Sequence, residues 1–109
     1  MKALRFALPL LAGLGACGGS AIPQPTAADA SRGSAHFPDV TLSELSQGRT
    51  LYVNHCGSCH VLKRPVELSP ESWQGEVSDM RAKNRVKLSD TEAQAIVRYL
   101  TIAASAGEG

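Results

Sequence analysis

Two thiols and one imidazole within five residues constrain this chain more than any other feature. The stretch CGSCH places cysteines at Cys56 and Cys59 and a histidine at His60. The chain has 109 residues, of which only 5% are aromatic. A domain this short usually needs a disulfide, a metal or a bound prosthetic group, because its apolar core barely offsets the conformational entropy lost on folding. The stretch therefore predicts a fold built around a cross-link or a bound group.

Several kinds of chemistry use a cysteine pair at this spacing. A redox dithiol of the thioredoxin kind lies between a strand and a helix, and no strand pattern precedes Cys56. A structural zinc site needs four ligands, and the remaining histidines, His36 and His55, do not supply a second ligand pair. A structural disulfide is the simplest alternative in an exported protein. The pattern instead matches the attachment signature of c-type haem, so we expect covalent haem at Cys56 and Cys59, with His60 as the proximal iron ligand.

The N-terminal residues have the pattern of a secretory signal. Lys2 and Arg5 precede an apolar run from Phe6 to Ala16, which is followed by small residues. That run is too short to span a bilayer comfortably. We therefore expect residues 1–16 to be a signal peptide and the mature protein to be exported.

The stretch LGAC, residues 14–17, resembles the lipobox of bacterial lipoproteins, in which the cysteine is lipidated and becomes the new N-terminus. This resemblance predicts a lipid on Cys17, which would tether the protein to a membrane without spanning it. Gly18 after the cysteine favours the outer membrane by the same resemblance. The alternative is an ordinary signal peptide cleaved after Ala28 or Ala30, which would remove Cys17.

Three regions are expected after the signal peptide. Residues 17–36 are rich in small residues, proline and glycine without helical periodicity, and this composition predicts a flexible linker behind the lipidated cysteine. Residues 37–104 carry three helical patterns and no strand-like alternation. Residues 105–109 are expected to form a disordered tail. The sequence therefore predicts one all-α domain.

Each helical pattern has its own start signal and apolar face. The first begins after Thr41 or Ser43, the second has Ser69 as N-cap with Pro70 at its first position, and the third opens with the capping box SDTE at residues 89–92. The residues recurring at helical spacing in the three patterns are Leu45, Gly48, Tyr52 and Cys56; Trp73, Val77 and Met80; and Ala93, Ile96, Val97 and Leu100, flanked by Tyr99.

The segment from about Val40 to Leu100 resembles a small class I-like cytochrome c domain. Gly48 and Tyr52 before CGSCH are similar to the glycine and aromatic with which the first helix of that family crosses its last, and VRYL at residues 97–100 is similar to the matching part of the last helix. The resemblance implies a small bundle of about three main helices around one covalently attached haem, with one haem c per chain.

The same resemblance implies a methionine opposite the proximal histidine. Met80 is the one methionine that export would retain, since Met1 leaves with the signal peptide. The alternatives are His36, His55 or an open coordination position, and a methionine at helical spacing also fits simple core packing. A backbone carbonyl near Pro65 is a candidate acceptor for the second ring nitrogen of the proximal histidine, although a turn proline explains Pro65 equally well.

Charge gives a weaker prediction about partners. Removal of the signal peptide changes the formal net charge from +1 to −1, because Lys2 and Arg5 are lost, and nothing in that balance indicates nucleic-acid binding. The basic residues around the site have two interpretations: they form a docking surface for acidic redox proteins, or they form a solvated surface without a partner. These basic residues are Lys63, Arg64, Arg81, Lys83, Arg85 and Lys87.

A haem ligated by histidine and methionine has no free coordination position, so the expected function is one-electron transfer without a small-molecule substrate. On this reading the protein is a carrier rather than an enzyme, tethered by its lipid on the periplasmic or cell-surface side. One alternative is a haem protein with an open distal position, used for gas binding, sensing or weak peroxidase chemistry. Another is the electron-accepting subunit of a larger dehydrogenase.

Overall fold

The computed structural model describes residues 22–57, 62–83 and 86–106, and within these ranges it is entirely helical. The elements in chain order are α1 Ala27–Gly33, α2 Leu42–Leu51, a π-helical turn Tyr52–Cys56, 3₁₀ turns Pro65–Glu67 and Pro70–Ser72, α3 Trp73–Lys83 and α4 Asp90–Ser105. The predicted all-α fold is confirmed. Among the described residues, no helix combines the length and apolar character needed to cross a membrane.

The core lies where α2 crosses α4. A Cβ atom added to Gly48 would clash with the backbone carbonyl of Ala95 and lie 2.9 Å from Cβ of Tyr99. Only a glycine allows the two backbones to approach this closely. The crossing therefore uses the glycine of α2 together with Ala95 and Tyr99 of α4, which agrees with the crossing that the resemblance implies. The apolar positions of the first and third patterns are all buried.

The helix start signals also hold in the structure. The Thr41 hydroxyl accepts a hydrogen bond from the Glu44 backbone at 3.1 Å, so Thr41 is the N-cap of α2. At the start of α4, Ser89 and Glu92 form both bonds of the predicted capping box, at 3.0 and 2.9 Å. Ser69 is an N-cap with Pro70 next to it, but the helix it opens is first a 3₁₀ turn that leads into α3.

The expected flexible linker is wrong for residues 22–36, which we call the N-terminal strap. This segment contains α1, which has a capping box between Thr26 and Asp29. Burial opposes ionisation of Asp29, but hydrogen bonds from Thr26 and Arg32 outweigh it and hold the pKa of this carboxyl below its usual value. The strap is therefore folded. Its capping box starts a helix, and tertiary contacts stabilise that helix, although the composition of the segment is typical of a coil.

Those tertiary contacts join the strap to α2 and α4. Ile22 is 6% exposed, and its carbonyl accepts from Nε of Arg49 at 2.9 Å. The Tyr99 hydroxyl donates to the Pro23 carbonyl, and Nη2 of Arg32 donates to the Ile102 carbonyl at 3.0 Å. The folded domain therefore begins near residue 22 rather than at residue 37.

The predicted disordered tail begins too early. Helix α4 continues to Ser105, whose hydroxyl donates to the Ile102 carbonyl at 2.7 Å. Nε of Arg32 also donates to this hydroxyl, at 3.5 Å. Helix α4 therefore ends one residue beyond the expected domain boundary at residue 104, and the strap contacts that end. Residues 107–109 lie outside the described ranges.

Candidate functional site

A small cavity lies where the π-helical turn, the segment at residues 62–63 and α3 meet. Its volume is about 30 Å³, and we call it the Cys56 cavity. It contains one thiol, one thioether and two large aromatic rings. The described residues that line it are Tyr52, Cys56, Leu62, Lys63, Trp73, Glu76 and Met80.

Cys56 enters this cavity from the π-helical turn. The residue is 6% exposed, and burial raises the pKa of its thiol. A π-helical turn is rare and often marks a functional position, because it inserts a wider turn into an otherwise regular helix. Here it ends at the first cysteine of CGSCH. Cys56 is thus a buried thiol for which the protonated form is favoured.

Met80 enters the same cavity from α3. It is partly buried and lies two helical turns after Trp73, which is fully buried. Residues seven apart share one helix face, and Trp73 and Met80 from the predicted face both line the cavity, whereas Val77 is buried outside it. The structure thus brings Cys56 and Met80 together, although they are far apart in sequence. Cys59, His60 and Cys17 lie outside the described residues.

Two aromatic side chains that the motif search did not assign to the site hold the segment after CGSCH. The Tyr52 hydroxyl donates to the Lys63 carbonyl at 2.7 Å, and Nε1 of Trp73 donates to the Pro65 carbonyl at 2.9 Å. Burial raises the pKa of Tyr52 well above its ordinary value, and the nearby Cys56 raises it further. The Pro65 carbonyl, considered above as an acceptor for the proximal histidine, thus accepts from Trp73.

The two other histidines lie away from the described walls of the cavity. His36 is exposed at the end of the strap, and its ring lies 6.2 Å from that of Phe37. His55 is partly buried in the π-helical turn beside Cys56. Neither imidazole is among the described groups that line the Cys56 cavity. Among the described candidates for a distal ligand, only Met80 is.

Several of the basic residues near the site have acidic neighbours. Lys63 is exposed and lines the cavity itself, while Arg85 lies outside the described residues. The ion pairs formed with these acidic neighbours reduce the positive electrostatic potential that the sequence alone suggests, although exposed ion pairs interact weakly in water. The pairs are Arg64 with Glu67 at 3.5 Å, Arg81 with Asp90 at 3.1 Å and Lys83 with Asp79 at 3.8 Å.

The donor chemistry of the cavity fits a c-type haem better than a metal ion alone. In the part of the chain that the structure describes, no cluster of three or more His, Cys, Asp or Glu side chains could hold a metal. A thiol and a thioether on an apolar wall instead suit a covalent thioether link and an axial sulfur ligand. Pockets that enclose a cofactor-sized ligand measure roughly 300–1,000 Å³. The cavity therefore marks where two sulfur groups meet, not the whole volume of a haem.

Comparison with known proteins identifies the family of the chain. No curated protein and no solved structure is significantly similar to the chain. A family model described as dihaem cytochrome c matches residues 52–109, more than half of the chain. The match begins at Tyr52 and includes CGSCH, Met80 and α4. The chain belongs to the dihaem cytochrome c family.

Proposed function

We propose that this protein is a one-electron carrier that binds one c-type haem per chain. The observation that carries the proposal is that the thiol of Cys56 and the thioether of Met80 line one cavity. Family membership implies c-type haem, and electron transfer follows as the general use of such haems. The family description names two haems, but the sequence of this chain contains a single C-x-x-C-H motif and three cysteines in all. One attachment motif supports one covalent haem.

Each site residue has a distinct role in this proposal. Cys56 and Cys59 would hold the porphyrin through thioether bonds, and His60 and Met80 would ligate the iron. The bound haem supplies reversible one-electron chemistry at its iron. Sulfur ligation raises the reduction potential relative to two histidines, and a filled coordination sphere leaves no position for a substrate. The rings of Tyr52 and Trp73 are buried and line the cavity beside Cys56.

The proposal places the protein on the periplasmic side, tethered by a lipid on Cys17 and anchored in the outer membrane. Support comes from the signal-like N-terminus and the lipobox-like LGAC. Its partners are redox proteins that dock near the basic residues of the site. Val66 is 49% exposed beside exposed Lys63 and Arg64, and an apolar group among charged ones suits a transient docking patch.

Replacing Met80 tests the carrier against the open-site alternative. Met80→Leu keeps most of the side-chain volume and should cost less than about 1.5 kcal/mol of stability. If Met80 ligates the iron, Met80→Leu and Met80→Ala should both lose the sulfur-to-iron charge-transfer band, gain high-spin character and bind carbon monoxide at once. Absorption spectra of the purified protein, before and after reduction under carbon monoxide, measure these changes.

Val77→Ala is the matched control, because Val77 is buried on α3 but does not line the Cys56 cavity. It should lower stability and leave the ligation spectrum unchanged. Wild-type spectra in both Met80 variants would show that this methionine only packs, and carbon monoxide binding by the wild-type protein would favour an open site.

Haem that acid and organic solvent extract from the wild-type chain would contradict covalent attachment. A mass corresponding to two haems would contradict the proposed count.

A further inference from the structure

The segment at residues 62–65, which we call the 62–65 loop, is held from inside the protein by two buried aromatic side chains. Tyr52 bonds to the carbonyl of Lys63, and Trp73 bonds to the carbonyl of Pro65. The two rings are 2% and 0% exposed, and they meet edge to face with centroids 5.9 Å apart. Since little water competes for buried donors, each bond fixes one backbone atom of the loop.

The other described hydrogen bonds of the loop are local. The N–H of Arg64 donates to Oε2 of Glu67 at 2.7 Å, and the carbonyl of Arg64 accepts from the N–H of Glu67 at 2.9 Å. Leu62 packs partly buried against the core, and Pro65 is buried. The bonds from the two aromatic side chains are therefore the described hydrogen bonds that connect the backbone of the loop to the π-helical turn and to α3.

The same two rings also belong to the elements that carry the sulfur groups. Tyr52 lies four residues before Cys56 in one π-helical turn, and Trp73 shares the inner face of α3 with Met80. Both rings line the Cys56 cavity. One aromatic pair thus sets the 62–65 loop relative to both Cys56 and Met80.

The loop follows the proximal histidine closely in sequence. Lys63 comes three residues after His60, and three residues span at most about 11 Å. Fixing the carbonyl groups of Lys63 and Pro65 therefore fixes the described backbone that follows CGSCH. We propose that Tyr52 and Trp73 are positioning residues for His60, which keep its imidazole on the iron by holding the 62–65 loop. This inference rests on the proposed haem at CGSCH.

Three variants of the full-length, haem-loaded protein test this role. Tyr52→Phe removes one bond to the loop and keeps the ring, and Trp73→Phe removes the other. Tyr99→Phe is the matched control, because it removes an equivalent bond from a buried tyrosine to a backbone carbonyl, that of Pro23 in the strap. The measurements are the high-spin fraction of the ferric protein, its affinity for added imidazole and its reduction potential.

We expect Tyr52→Phe and Trp73→Phe to raise the high-spin fraction and the imidazole affinity severalfold, up to about tenfold, which corresponds to the loss of one buried hydrogen bond. Their reduction potentials should move, while Tyr99→Phe should match the wild type in all three measurements. Tyr52→Phe decides the question if Trp73→Phe does not fold.

Variants that match Tyr99→Phe in spectrum, affinity and potential would overturn the inference. A wild-type protein without covalent haem would instead overturn the proposed function. These two failures are separate results.

Discussion

The middle and the C-terminal end of the continuous helix formed by α2 and the π-helical turn meet different surroundings. Near its middle, Gly48 lies directly against the backbone of α4, leaving no space for even a methyl group. At its end, Cys56 faces a cavity rather than another backbone. At the crossing, the backbones of α2 and α4 are in contact, whereas the cysteine end leaves unfilled space beside the sulfur of Cys56. The crossing therefore holds the fold, and the cavity at the cysteine end lies where we propose that the haem is attached.

The N-terminal strap, like the crossing at Gly48, packs closely against α4. Gly33 packs against Ile102, where an added Cβ would lie 2.8 Å from Cγ1. The strap therefore packs closely against a side chain of α4, whereas Gly48 packs against the α4 backbone itself. We therefore expect changes in the strap or at the Gly48 crossing to lower the free energy of unfolding and to leave the haem spectrum unchanged.

The largest effect is expected from replacing residues 22–36 with a glycine and serine segment of equal length. Loss of the burial of Ile22 and of the strap hydrogen bonds should lower the free energy of unfolding by roughly 4 kcal/mol. Thermal unfolding followed by circular dichroism measures the change. Gln24→Ser, at an exposed strap position, is the control and should leave the melting temperature unchanged. Equal stability of the replaced and wild-type proteins would restore the flexible-linker interpretation.

Gly48→Ala should have the next largest effect. Its new methyl group would meet the Ala95 backbone, which cannot move aside without separating α2 from α4, so we expect a loss of roughly 3 kcal/mol. Gly75→Ala on α3 is the matched control, because nothing lies within 4 Å of the added atom. It should stabilise the protein by about 0.5–1 kcal/mol through helix propensity alone. Denaturant titration that finds similar values for both variants would refute the close crossing.

The smallest effect near neutral pH should come from Tyr99→Phe, which loses one hydrogen bond worth about 1 kcal/mol. Burial raises the pKa of Tyr99 from 10.0 to about 12. Since the unfolded phenol loses its proton first, the stability that Tyr99 contributes is complete below pH 10 and is lost as the pH rises towards 12. Unfolding measured against pH should therefore show a shallower alkaline decline in Tyr99→Phe. An identical decline in both proteins would argue against burial of this hydroxyl.

Most of the fold follows from local signals in the sequence. Thr41 and the SDTE box mark helix starts that the structure confirms, because capping depends on residues three apart. Helix α1 was not predicted, although Thr26 and Asp29 have capping-box spacing, because its support comes from Ile102 at the other end of the chain. No short-range pattern reports such a contact.

The candidate site divides in the same way. The helical face of Trp73 and Met80 could be read from spacing, and so could the approach of Tyr52 to Cys56. The bonds from Tyr52 to Lys63 and from Trp73 to Pro65 could not, because an irregular loop has no periodicity that says which carbonyl turns inward. The π-helical turn was also missed, since residues four apart fit an α-helix equally well.

The folded strap changes how far the protein could reach from a membrane. Ile22 is fixed to Arg49, so only four residues separate it from Cys17. With Cys17 acylated as proposed, the start of the fold can stand at most about 18 Å from the lipidated residue, since each residue adds up to roughly 3.6 Å. A coil through residue 36 would have allowed several times that distance. The haem domain would then exchange electrons with proteins at the bilayer surface, and a partner located deeper in the periplasm would have to approach the membrane.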